Sequence, residues 1–254
     1  MPSASTSRVR GALLAALPIA LLFASRSAHA EPSHGVRLAP SLSLAQDFLW
    51  AGGTDVCTEK SQVNYGWSCF RKQGTQYHGT PVEGFKDSVS SGFGMATTRL
   101  LLGLDVMPLD QLGLGVRMGY AFGGSPRTDG GHRFLHLHLE GRVSYWLGEA
   151  YPEHGIAPFA FAGGGVGEVD ERYPVDVNED RSVPPPPGQL DNPDYQTLDV
   201  YKKLGKGFAS FGVGGYYGFG PGGGILLSGK GMLLFPSSGF AAELELGYAV
   251  GLGL

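Results

Sequence analysis

The chain has 254 residues, 42 of them glycine, and only two cysteines. Setting aside residues 1–30 removes Arg8, Arg10 and Arg26, which leaves 16 Lys and Arg against 23 Asp and Glu, a formal charge of −7. That acidic balance argues against nucleic acid or an anionic membrane surface as partner. Glycine at more than twice its usual share disfavours helices.

The first thirty residues form a leader. Arg8 and Arg10 make a positive start, Gly11 to Ala24 is an apolar run, and Ala28-His29-Ala30 is a small-x-small cleavage site. This predicts a secretory signal peptide over 1–30 and a single domain over 31–254. Residue 31 is Glu and not Cys, so a lipid-anchored N-terminus is not expected. No later stretch carries 18 apolar residues in a row, so no spanning helix is expected.

From there the chain alternates. Side chains point to opposite faces along a strand, so alternation of apolar and polar residues marks strands with one oily face. The first has Val36, Leu38, Leu42, Leu44, Phe48 and Trp50 on one face, with Arg37, Ser41, Ser43 and Asp47 opposite. Leu100 to Val106 follows, with Arg99 and Asp105 on the polar face. Leu112 to Phe122 is the third, with Arg117 among glycines. Leu135 to Leu147 is the fourth, with His136, His138, Glu140, Arg142 and Ser144 opposite. A weaker fifth starts at Phe159 and Phe161 and dissolves into Gly163-Gly164-Gly165. Phe211 to Phe219 and Ile225 to Phe235, the latter with Ser228 and Lys230 opposite, are the sixth and seventh. Phe240 to Leu254 is the eighth, with Glu243 and Glu245 on its small-residue face.

The connections alternate as well. Long segments at about 51–90 and 168–205 and a medium one near 125–131 contrast with tight turns at Pro108–Gln111 and Gly220–Gly223. Aromatic residues gather at two levels: Phe48, Trp50, Tyr120, Phe122, Phe235 and Phe240 near the long loops, and Tyr145, Phe159, Tyr217 and Phe219 near the short turns. The polar faces carry Arg37, Arg99, Arg117, Arg142 and Lys230 against Asp47, Asp105, Glu140, Glu243 and Glu245, five against five. Balanced charges among small residues suit a narrow lumen where ions neutralise each other. The apolar face then meets lipid, and a spanning sheet must close to satisfy its backbone. The pattern predicts an all-β fold, a closed antiparallel up-and-down transmembrane β-barrel. Eight strands are expected, with ten open because either long loop has room for a hairpin.

At this point the chain resembles the small eight-stranded outer-membrane β-barrels of the OmpA transmembrane-domain and OmpX type. The resemblance is architectural and covers roughly residues 36–254. The run Glu245-x-Gly247-x-x-Val250-x-Leu252 looks like the C-terminal assembly signal of that family, although the last residue here is Leu254 where the family usually ends in an aromatic. The resemblance implies residence in the outer membrane of a Gram-negative-type bacterium and recognition by the barrel-assembly machinery.

Several constellations invite chemistry. Cys57 and Cys69, the even pair of an exported chain, are expected to form a disulfide. His136-x-His138-x-Glu140 would aim two imidazoles and a carboxylate one way, as a divalent metal needs. A hydrogen-bonded network with Arg117 and Arg142 accounts for it better. Gly163 to Gly167 lacks the following helix of a phosphate loop and reads as a bulge. The acidic stretch Glu168 to Asp199 lacks calcium-loop spacing and reads as a solvated loop, with Tyr195 to Lys206 an extension of the sixth strand beyond the membrane. Asp47, Ser125 and His132 lie near the outer rim without the spacing of a nucleophile and its base. The expectation is therefore a monomeric, non-enzymatic barrel without metal or cofactor, its lumen filled by side chains and its long loops serving a structural or surface-interaction role. A small passive channel or conduit for apolar molecules is the alternative, and a lipid- or peptide-modifying enzyme the second. The loops' partner is not identified.

Overall fold

The computed structural model describes residues 37–184, 193–236 and 238–253; the expected signal peptide, Val36, Asp191 and Leu254 lie outside them. Eight strands form a ring: β1 (Arg37–Gly53), β3 (Val89–Leu109), β4 (Leu112–Phe122), β5 (Leu137–Trp146), β6 (His154–Val166), β9 (Gly207–Phe219), β10 (Gly224–Phe235) and β11 (Gly239–Ala249). Each pairs antiparallel with its neighbour in the ring. Closure comes from β11 lying beside β1, in register from Ser41↔Ala249 to Leu49↔Ala241. The short β12 (Leu252–Gly253) extends that seam to Leu38 and Arg37. The fold is an eight-stranded antiparallel up-and-down barrel, and among the described residues neither long loop adds a ninth or tenth strand to it.

The alternation turns into an inside and an outside. On the seam, Leu44 and Leu246 are 56% and 59% exposed, while Ala45 and Glu245 are each 1% exposed. Leu102, Leu104, Leu114, Val116, Val143, Val213 and Leu227 continue the exposed belt around the ring. Outward aromatics flank it. Trp50, Phe93 and Phe240 pack edge-to-face at the long-loop end. Tyr217, Phe219 and Tyr248 cluster at the other.

Two expectations about phase are corrected. Phe159 and Phe161 point inward and are both 5% exposed. Their strand is locked by its ladders: Phe159 lies opposite Trp146 and Gly214, and Phe161 opposite Ser144 and Gly212. A Cβ at Gly214 would sit 2.4 Å from Phe159 Cζ, and one at Gly212 2.5 Å from Phe161 Cζ, so glycine on β9 makes the room that the rings fill. The run Gly163–Gly165 is no bulge, because β6 runs without a register shift against both β5 and β9. Instead it passes the lumen charges, where Gly163 lies beside Arg142 and Gly165 beside Glu140.

The long loops are structured. Loop 54–88 carries α1 (Glu59–Asn64), whose N-cap Thr58 accepts from Ser61 N–H, and β2 (Trp67–Phe70). The disulfide Cys57–Cys69 joins the approach to α1 with β2. The β6–β9 hairpin continues past the ring as β7 (Val169–Asn178) and β8 (Tyr195–Leu204), paired from Val169↔Leu204 onward. Sheet β2-β8-β7 results, with β2 against β8. Its apolar side (Val175, Val177, Leu198, Val200, Leu204) shares one core with Leu49, Phe208, Met232 and Leu234 of the ring. The sheet is a cap seated on the barrel mouth. Burying each such side chain contributes roughly 1.5–3 kcal/mol.

Candidate functional site: the sealed lumen and its cap

The barrel interior holds a continuous set of ion pairs contributed by six of its strands. Arg99 on β3 donates through Nε to Asp47 on β1 at 2.8 Å, and through Nη2 to the Glu168 carbonyl at 2.9 Å. Lys230 on β10 lies 2.7 Å from Glu140 and 3.0 Å from Glu243. Arg142 on β5 reaches Glu140 at 3.2 Å and Glu245 at 3.4 Å. Arg117 on β4 grips Asp105 on β3 through two donors at 3.0 and 2.8 Å. Ser43 and Ser228 donate to Glu245, and Ser210 to Glu140. These ionic side chains are all nearly solvent-free. In such surroundings an ion stays charged only with a partner in contact, so the network is one unit and not a set of separate bridges.

Three expected members stand apart or change role. Arg37 lies at the lower rim, where it meets Glu149 at 2.6 Å and the Ala150 carbonyl. His136 precedes β5, where alternation has not begun; it stacks on Tyr120 with ring centroids 4.9 Å apart and stays exposed. His138 is buried against the Phe208 ring, with Nε2 3.5 Å from Glu140. So only His138 and Glu140 of the triplet converge, and among the described residues no cluster of His, Cys, Asp or Glu is placed to hold a metal. Asp47, Ser125 and His132 do not assemble into a catalytic group. Asp47 holds Arg99, Ser125 N–H donates to Asp170, and His132 faces Glu168.

The lumen is stopped at both ends. Below the charges, Trp146, Tyr151, Phe159, Phe161, Tyr216 and Leu226 form an apolar plug. Tyr151 enters from the β5–β6 turn at φ 50° and donates its hydroxyl to Asp105, tying plug to network. Nothing in sequence marked Tyr151, a single aromatic in a short turn. Above the charges lies the shared core of cap and mouth. The wall offers no lateral opening at the glycine-rich strand, whose ladders are continuous on both sides.

The cap is fastened by buried acids that sequence reading placed in a solvated loop. Glu168, Asp170 and Glu171 are 1–2% exposed. Asp170 accepts from Ser125 N–H at 2.9 Å, and its own N–H donates to Thr97 Oγ1 at 3.1 Å. Burial pushes the Asp170 carboxyl up to about 6, against the opposing effect of the Ser125 bonds. Burial likewise raises Glu168 and Glu171. Asp87 in loop 54–88 is raised to about 7, by burial first and by neighbouring Asp55 second. Other acids of this stretch pair with neighbours: the buried Asp199 with Lys72 and Arg172, and the more open Asp176 with Thr197. Loop 123–136 joins in, since Asp129 N–H donates to Gln76 and its carboxylate meets His78. Tyr77 donates to Glu179 at 2.6 Å, binding loop 54–88 to the end of β7. Three loops thus form one body.

No protein-family pattern matches the chain, and no curated protein matches it. Solved structures similar to it include the N-terminal β-barrel domain of Pseudomonas aeruginosa OprF, at 10% identity and a TM-score of 0.35 over 83% of this chain and 96% of that one. The attachment invasion locus protein Ail of Yersinia pestis is similar at 8% identity and TM-score 0.36, over 87% and 100% of the two chains. Neisserial surface protein A is similar at 11% identity and TM-score 0.34, over 87% and 99%.

Proposed function

We propose that this chain is an integral outer-membrane protein whose barrel is a sealed anchor and whose cap is its working surface. The observation that carries the reading is the inversion of polarity around a closed ring: apolar side chains outside, paired ions inside. A soluble barrel would hide the first and expose the second. Short turns at one end and long, knitted loops at the other match the periplasmic and extracellular sides of such barrels. The plug, the ionic layer and the cap core fill the lumen in series, which supports an interaction role and not conduction. Nothing in the site assembles a nucleophile with a base, so the proposal is of a non-enzymatic protein.

The test is twofold. The refolded chain should shift in gel mobility on heating, as closed barrels do, and should give no steady conductance in a planar bilayer. Stable single-channel steps from the intact protein would overturn the sealed-anchor reading.

A further inference from the structure

A cavity of about 430 Å³ opens beside the cap, between β2, β8, loop 123–136 and the β10–β11 turn. Its volume lies within the range that small-molecule sites occupy. Two buried nitrogen atoms of its lining have no partner. One is Nζ of Lys203, a side chain 9% exposed; the other is Nδ1 of His132. A buried ammonium without an acceptor is costly. The face of Phe70 lies 5.6 Å away and Asp170 stands opposite in the β7–β8 ladder; burial pushes the Lys203 pKa down while Asp170 and Glu168 hold it up.

The neighbouring bonds determine what each nitrogen offers. Glu168 Oε2 accepts from Leu135 N–H at 2.8 Å, which leaves Oε1 for the ring N–H of His132 at Nε2, 3.1 Å away. With the proton on Nε2, Nδ1 presents a lone pair. Desolvation lowers the His132 pKa and so favours this neutral ring. Both nitrogens lie within the cavity wall with almost no exposed surface, so the lining holds one cationic donor and, separately, one acceptor, which a ligand reaches when these two side chains turn into the cavity. Thr128 and Gln76 add polar lining, and the exposed Lys206 stands at the rim.

We propose that this cavity binds an oxyanion that carries a hydroxyl beside it, as in a sugar acid or a sugar phosphate. Lys203 holds the anionic group, the hydroxyl donates to His132 Nδ1, and Lys206 closes on the anion from outside. The ligand is either free in the medium or the saccharide headgroup of a membrane lipid; the chemistry is shared. This rests on the cap being the protein's outward working surface.

The experiment is calorimetric titration of the full chain, refolded in detergent, with glucuronate, acetate and glucose. Saturable binding is expected for glucuronate, weaker binding for acetate and none for glucose. Loss of a charge-assisted bond predicts a fall of about tenfold or more for Lys203→Met. Lys206→Ala should weaken binding severalfold, and His132→Phe should abolish the preference for glucuronate over acetate. His132→Phe also serves if Lys203→Met does not fold. Absence of saturable glucuronate binding, equal binding of glucose, or wild-type affinity in both Lys203→Met and His132→Phe would overturn the proposal. Repeating the titration in vesicles containing lipopolysaccharide separates the sources: a lipid-borne ligand suppresses glucuronate binding there, a free one leaves it intact. An epitope inserted at the Gln73–Gly74 turn and probed on intact cells tests the outward reading by itself. If the epitope is hidden while glucuronate still binds, the outward reading fails and the pocket stands.

Discussion

Arg99 shows how much one side chain can hold when water is excluded. It touches Asp47 and Glu243 and reaches the Glu168 carbonyl at the base of the cap. Arg99→Ala leaves two buried carboxylates facing each other across the seam, at the register pair Asp47↔Glu243. Removing one partner of a buried pair costs roughly 3–5 kcal/mol, so the urea midpoint should fall by a corresponding amount. Replacing both Arg99 and Asp47 by apolar residues of similar size should recover part of that loss, and an undiminished midpoint in the single variant would mean a wetter lumen. Asp170 makes a second test at this scale. Its folded pKa, about 6, lies above the ordinary 3.8, so the native cap holds that proton more tightly than the unfolded chain. Its contribution is fully present below the ordinary value and is lost as pH rises through about 6, by roughly 3 kcal/mol in all. The lowered His132 acts in the opposite sense near neutrality. The cap's urea midpoint, read from Trp67 fluorescence with the other tryptophans replaced, should therefore fall less steeply with pH in Asp170→Asn than in the wild type. Equal slopes would remove Asp170 as the source.

At the scale of elements, the division between legible and illegible follows a physical line. Strands such as β4 and β11 declare themselves because lipid-type and lumen-type surroundings demand opposite residue types at alternate positions. The inward phase of β6 does not declare itself. Its rings fit only because Gly212 and Gly214 face them from β9, a pairing that no local pattern encodes. His136 departs from the expected lumen face for a related reason: it stands one residue before β5, outside the alternating strand. The β7–β8 hairpin is half legible: Tyr195 to Lys206 reads as an extension of the sixth strand and holds β8, while the acids of β7 read as solvated loop, and only the ring beneath explains why Asp170 is buried. The disulfide was legible from export and an even count. Its sequence separation of 12 implies a stabilisation of about 3 kcal/mol in the chain-entropy model. Cys57→Ser with Cys69→Ser should expose loop 54–88 to protease while the ring strands stay protected. Unchanged resistance in that loop would show that α1 and β2 hold without the bridge.

For the whole molecule, three layers stacked along one axis carry three separate duties. On the proposed reading the aromatic plug seals, the ionic layer fixes the ring's register, and the cap is the outward face, built from residues far apart in sequence. The seam sets an order on how that whole comes into being. On the seam side Ser41 finds its partner only at Ala249, near the end of the last ring strand. Until the last ring strand arrives, β1 offers a bare edge on one side, with hydrogen-bonding groups ready for any passing strand. Loop-closure entropy must be met before that contact returns anything. The same pairing that leaves the finished ring without an edge makes the unfinished one slow to close and adhesive, so its safe passage is a matter of timing as much as of stability.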